Sequence, residues 1–181
     1  PPRCTLFPYT TLFRSSYLLI QKPRQKGVST ICEVIAYIEA LNRKKVLYLG
    51  YGPCNINLKN VNNLTYKELR SDSGISMNFL CGKRFDLIVV DEMISFPLPL
   101  EAEHDLENTL TENGRMILVG TPVSPTWKNY KQLKDFFTSC DTSVFDGLDK
   151  LALTIYPDKE DFEKAEHFPE YKNEMLGQWN D

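Results

Sequence analysis

Four short apolar runs punctuate the chain: YLLIQ at Tyr17–Gln21, VLYLG at Val46–Gly50, FDLIVV at Phe85–Val90 and RMILV at Arg115–Val119. Each has the length of one buried strand and is bounded by turn-forming residues. Helix-patterned sequence lies between them. Thr30–Leu41 carries Ile31, Val34, Ile35, Ile38 and Leu41 at helical spacing, and Thr30 with Glu33 forms a T-x-x-E capping box at its start. Residues 101–111, Trp127–Phe137 and the tail from Lys159, broken at Pro169, also read as helical. Residues 51–63 are loop, LTYKEL after them is a further short strand, and Leu151–Tyr156 is the last. Strands separated by helices predict an α/β layer fold with a mostly parallel sheet.

Composition narrows the function classes. A formal net charge of −3 leaves no general basic field for nucleic acid, although Lys22, Arg24 and Lys26 cluster in one loop. The 5 cysteines include no C-x-x-C pair, so neither a zinc site nor a disulfide framework is indicated. Cys32, Cys54, Cys81 and Cys140 read as buried or unreactive reduced thiols. His104 and His167 read as solvated, Trp127 and Trp179 as packing residues, and Asp158–Glu166 as a solvated helix face. No apolar run has the length of a membrane span.

Residues 5–15, TLFPYTTLFRS, coincide with one reading frame of a widely used sequencing adapter. Residues 1–15 are therefore expected to be foreign to the fold and irregular, and 16–181 to be the folded part.

In parallel sheets, ligands bind beyond the carboxyl ends of the strands. Three motifs stand there. KPRQKGVST, Lys22–Thr30, follows the first strand and opens a helix, as in a phosphate-binding loop. Gly27 allows a tight turn, the helix amides would donate to phosphate, and Ser29 stands where a Mg²⁺-binding hydroxyl is expected. Val28 occupies the usual lysine position, so Lys22 or Lys26 must supply the charge. Lys22, at the strand end, can fold back over the loop, whereas Lys26 tends outward. A basic surface turn before a helix is the plain alternative.

LIVVDE ends a buried strand in two carboxylates, the Walker-B arrangement. Asp91 would hold Mg²⁺ through its water shell, and Glu92 would orient the attacking water. The strand RMILVG runs into Thr121-Pro122, where Thr121 would sense a γ-phosphate.

In that order, and with the tail FPEYKNEMLGQW, these motifs resemble the ATPase half of a tailed-bacteriophage large terminase subunit. Arg24, Gln25, Gly27, Ser29 and Thr30 match that family's R-Q-x-G-x-S-T loop. Lys22 matches the early lysine of its deviant loops, and Arg24 matches an arginine assigned to the γ-phosphate. Gly120-Thr121-Pro122 matches the coupling motif. Tyr171, Glu174, Leu176, Gly177 and Trp179 match the segment closing the ATPase core. The resemblance spans Tyr17 to Asp181, with a short spacing from loop to Asp91. It lacks an upstream adenine-binding segment and a downstream nuclease domain.

The resemblance implies a three-layer, RecA-like P-loop NTPase. Its cofactors would be ATP and Mg²⁺, and its cofactor-binding loop would be Lys22 and Gln25 to Thr30, Lys26 and Val28 included. It further implies a motor driving double-stranded DNA into a procapsid in the host cytoplasm. Its partners would be a portal protein and a small terminase subunit, and it would act as a homo-oligomeric ring without a membrane. Two other readings stay open: a RecA-like helicase or translocase, and a nucleotide-free module with a decayed loop.

Overall fold

In the computed structural model the described residues are 17–50, 52–54, 56, 58, 61–69, 77–93, 105–127, 130–138 and 150–179. The proposed foreign segment 1–15, Cys4, His104, Cys140 and the start of the expected 101–111 helix lie outside them.

The strands are β1 (Tyr17–Gln21), β2 (Val46–Gly50), β3 (Leu64–Glu68), β4 (Phe85–Val90), β5 (Leu110–Gly120) and β6 (Lys150–Thr154). They form one 6-stranded sheet in the order β3-β2-β4-β5-β1-β6, with every pairing parallel. The apolar runs became the inner strands because they are covered on both sides. In β2, Leu47 and Leu49 enter the core on one face, while Val46 and Tyr48 enter the core on the other. Helices α1 (Val28–Leu41) and α2 (Tyr130–Thr138) cover opposite faces, α1 through Val28, Cys32, Ala36 and Ala40, α2 through Leu133 and Phe137. Helices α3 (Lys159–His167) and α4 (Lys172–Leu176) follow β6, joined by a 3-10 turn at Pro169–Tyr171.

Several expectations are corrected. The helix α1 forms, but Ile31, Val34, Ile38 and Leu41 are 40–59% exposed. Small side chains meet the sheet instead and let the helix lie close to it. The Thr30–Glu33 capping box does not form. Gly27 is the N-cap, with no side-chain cap, and the buried Glu33 carboxylate accepts the Ile56 N–H at 2.9 Å.

In the 101–111 stretch only residues 105–107 are helical among those described, and β5 already begins at Leu110. Its first part carries a bulge, since Phe85 pairs with Leu110 but Leu87 with Arg115. Gly114 belongs there because a Cβ would lie 2.9 Å from the Thr111 carbonyl oxygen and 3.0 Å from that of Phe85. α2 starts at Tyr130 rather than Trp127, and Trp127 is half exposed rather than packed. Cys81 is exposed rather than buried. Asp161, within the expected solvated run, is buried.

Strand order decides what can meet. β5 lies between β1 and β4, and Gln21 pairs with Gly120 while Val90 pairs with Leu118. The residues just past those ends, Lys22, Thr121 and Asp91-Glu92, therefore emerge side by side on the carboxyl edge.

Candidate functional site

Lys22 leaves β1 with its backbone N–H bonded to Gly120 O at 3.1 Å. Its side chain is buried, and Nζ reaches Glu92 Oε1 at 2.5 Å and Thr121 Oγ1 at 3.0 Å. Thr121 Oγ1 is in turn 3.5 Å from Glu92 Oε1. A strand-end lysine, a carboxylate and a hydroxyl thus form one triangle. Glu92 holds it from a left-handed backbone conformation, φ 56, which is uncommon and costly for a residue with a Cβ.

Beside the triangle stands a second pair. Ser29, in the first turn of α1, and Asp91 line the same cavity. Burial raises the Asp91 pKa above its usual value. The nearby Ser29 hydroxyl opposes that, and the neighbouring charge of Glu92 adds to it. Asp91 Oδ1 is buried with no hydrogen-bond partner. An orphaned carboxylate oxygen beside a hydroxyl fits a hard cation such as Mg²⁺, which takes oxygen ligands and keeps several waters. No cluster of three or more acidic, cysteine or histidine ligands exists among the described residues, so an all-protein metal cage is not what this is. Tyr48 Oη, 3.5 Å from Asp91 Oδ2, was not foreseen. Its only sequence signal was a polar tip in a buried strand.

The loop between β1 and α1 is curled by two left-handed residues, Gln25 (φ 60) and Gly27 (φ 71). At Gly27 a Cβ would meet nothing, so it is the backbone conformation that favours glycine there. The first turn of α1 carries no acidic residue, which leaves its amides suited to an anion. Val28 puts its side chain into the core, and Gln25 and Thr30 are exposed.

The other two loop cations do not join Lys22. Lys26 Nζ bridges Asp158 Oδ2 at 2.7 Å and Asp161 Oδ2 at 2.5 Å. Arg24 pairs with Glu174 and sits over the Tyr171 ring, 5.9 Å from its centroid. Its backbone N–H also bonds Glu174 O at 3.0 Å. The tail holds the loop from a third direction, because Gln21 Nε2 donates to Gly177 O at 2.7 Å and Trp179 Nε1 donates to Gln21 Oε1 at 2.8 Å. Trp179 also packs edge-on against Tyr130. Asn173 Nδ2 reaches Val123 O at 3.1 Å, so α4 touches the turn after Thr121 as well. His167 is exposed, as expected.

A polar cavity of about 160 Å³ opens beside Ser29 and Asp91, with Glu33, Tyr48, Cys54 and Tyr66 in its wall. Two larger depressions, of about 440 and 430 Å³, lie around Lys83 and Arg84 at the opposite end of the sheet. They are open, and they are remote from the strand ends that carry the chemistry. No helix among the described residues is long and apolar enough to cross a membrane.

No protein-family model and no curated protein sequence matches the chain. Solved structures do. The large terminase of a thermophilic bacteriophage superposes with a TM-score of 0.60 at 9% identity, over 91% of this chain and 48% of that one. A mutant of the large terminase ATPase domain from Thermus phage P74-26 superposes at 0.59 with 13% identity, over 90% of this chain and 88% of that one. Another crystal form of the first protein, in complex with ADP, gives 0.54 at 10% identity, over 85% of this chain and 45% of that one. The chain thus spans about half the length of the first of these proteins, and at such identities the likeness is one of fold: the three-layer α/β architecture of the terminase ATPase domain.

Proposed function

We propose that this chain is the ATP-hydrolysing core of a phage DNA-packaging motor. The observation that carries the reading is the meeting of Lys22, Glu92 and Thr121 from three neighbouring strand ends beside the Ser29–Asp91 pair. The terminase fold and the ADP bound to one structural neighbour support it.

The residues divide the work as follows. The loop amides and Lys22 hold the β- and γ-phosphates, because a buried ammonium beside helix-terminal N–H groups favours concentrated negative charge. Ser29 and Asp91 hold Mg²⁺, which when bound neutralises charge developing on the phosphate oxygens. Lys22 is paired with Glu92 in this structure. When phosphate draws the ammonium away, Glu92 is released to accept a hydrogen bond from the attacking water and orient it. Thr121 touches both partners, so the exchange reaches the end of β5 and, through Val123 and Asn173, the tail. Arg24 would have to leave Glu174 and Tyr171 to act on the γ-phosphate.

In the whole protein the work would be done on double-stranded DNA by a ring of subunits on a portal, with a small terminase subunit, in the host cytoplasm. The first test is a titration of a fluorescent ADP analogue into the full chain with Mg²⁺, alongside ATP turnover. Mg²⁺-dependent binding that Lys22→Ala removes is the expected result. No binding by the unaltered chain sinks the reading and leaves the nucleotide-free module.

A further inference from the structure

The polar cavity next to Asp91 has a second carboxylate in its wall. Glu33 lies one helical turn after Ser29, on the same face of α1, and is only 3% exposed. Its charge is felt at Asp91 across the cavity. No lysine or arginine is among the described residues lining that space. Asp91, itself more than nine-tenths buried, lines the same space, and its Oδ1 has no hydrogen-bond partner. Two carboxylates in the wall of one half-open polar space make it favourable for a cation.

A space of about 160 Å³ has room for an ion together with waters. Mg²⁺ sheds its waters reluctantly and is usually bound through one or two carboxylates with several waters retained. The waters kept by such an ion would need acceptors among the side chains around it.

We propose that Glu33 is a positioning residue that accepts hydrogen bonds from the water shell of the divalent cation held by Ser29 and Asp91. The inference rests on the nucleotide-hydrolysis reading above. It gives a role to a residue whose sequence context suggested only a helix cap. It also explains why Glu33 is fixed by the Ile56 N–H at 2.9 Å, since an outer-shell acceptor must itself be held in place.

The test is Mn²⁺ binding by the full chain with ADP, read from Mn²⁺ electron paramagnetic resonance and independent of turnover. Glu33→Gln keeps an oxygen to accept the Ile56 N–H and removes only the charge. It is expected to weaken Mn²⁺ about 10-fold, with metal-free ADP affinity unchanged. Glu33→Asp, which restores the charge, is expected to recover most of the loss. Asp91→Asn should weaken Mn²⁺ at least as much. Unchanged Mn²⁺ affinity in Glu33→Gln, with Asp91→Asn weakened, overturns the role of Glu33 alone. Equal loss in Glu33→Gln and Glu33→Asp, without recovery, marks a structural role and overturns it too. If the unaltered chain binds ADP but no Mn²⁺, or binds neither, the proposed metal site falls as well. Should Glu33→Gln not fold, Glu33→Asp against Asp91→Asn still decides: Glu33→Asp losing as much as Asp91→Asn overturns the proposal, and near-native affinity supports it.

Discussion

The ammonium of Lys22 and the carboxylate of Glu92 are 70 residues apart in sequence and 2.5 Å apart in space. The pair is mostly shielded from water, with side-chain exposures of 5% and 27%, so removing one partner leaves the other charged and partly desolvated. It stands at the carboxyl edge of β1 and β4, where the proposed phosphate site would compete with Glu92 for the lysine.

Lys22→Ala should therefore abolish ATP turnover, by about 100-fold or more, while Lys26→Ala should lower it only in part. Lys26 is paired with Asp158 and Asp161, which ties the loop to α3. Steady-state phosphate release by the two variants decides the matter, and the reverse ranking would transfer the phosphate role to Lys26.

Glu92→Gln should bind nucleotide with near-native affinity and hydrolyse it about 10²–10⁴-fold more slowly. The amide can still accept from Lys22 but cannot take up a proton. Filter binding of labelled ATP together with single-turnover kinetics separates the two effects. Undiminished turnover excludes Glu92 from the chemistry.

Gly177→Ala should destabilise the fold by at least about 1–2 kcal/mol, the cost of a left-handed residue with a Cβ. Gly177 has φ +62, and an added Cβ would lie 2.6 Å from Pro23 N and 2.8 Å from Lys22 C. Urea unfolding monitored by circular dichroism measures the loss. A change below about 0.5 kcal/mol would show that the tail does not press on the loop as described.

Asp158→Asn should flatten the acid side of the stability profile. The hydrogen bond from Lys26 holds the Asp158 pKa below its ordinary 3.8. The folded form thus releases the proton more readily than the unfolded chain. That contribution is complete above the unfolded value and disappears as pH falls through the folded one. Asparagine still caps α3 and removes only the charge. Melting temperatures between pH 7 and pH 3 should fall less steeply in the variant, and parallel curves would refute the assignment. Lys26 works at the other extreme. Burial opposes its charge, its hydrogen bonds to Asp158 and Asp161 outweigh that, and its pKa rises. Its share is lost only as pH climbs past 10.5.

The strands were readable because an apolar run buried on both faces has little ambiguity. β1, β2 and β4 appear with the bounds read from their sequences. The motif residues were readable because each ends such a run. What α1 turns toward the sheet was not readable, since Cys32, Ala36 and Ala40 are weaker hydrophobic signals than the isoleucines on the outer face. The T-x-x-E pattern predicts a cap because a cap is a local device, whereas Glu33 accepts the Ile56 N–H, outside the helix. The pairing of Arg24 with Glu174 carries no local signal at all. Only the strand order and the returning tail bring them together.

That returning tail has a consequence for the order of events in a living cell. Gln21 and Gly177 are 156 residues apart and hydrogen-bonded. A polypeptide is made from its amino end at about 5–20 residues per second. The loop Lys22–Thr30 therefore leaves the ribosome well before Glu174, Gly177 and Trp179, and its fastening by them must wait until they are made. For roughly 8–30 seconds at that pace the nascent chain holds the sequence of the loop without its finished shape. Whatever needs the loop in this shape begins only once translation has passed Trp179.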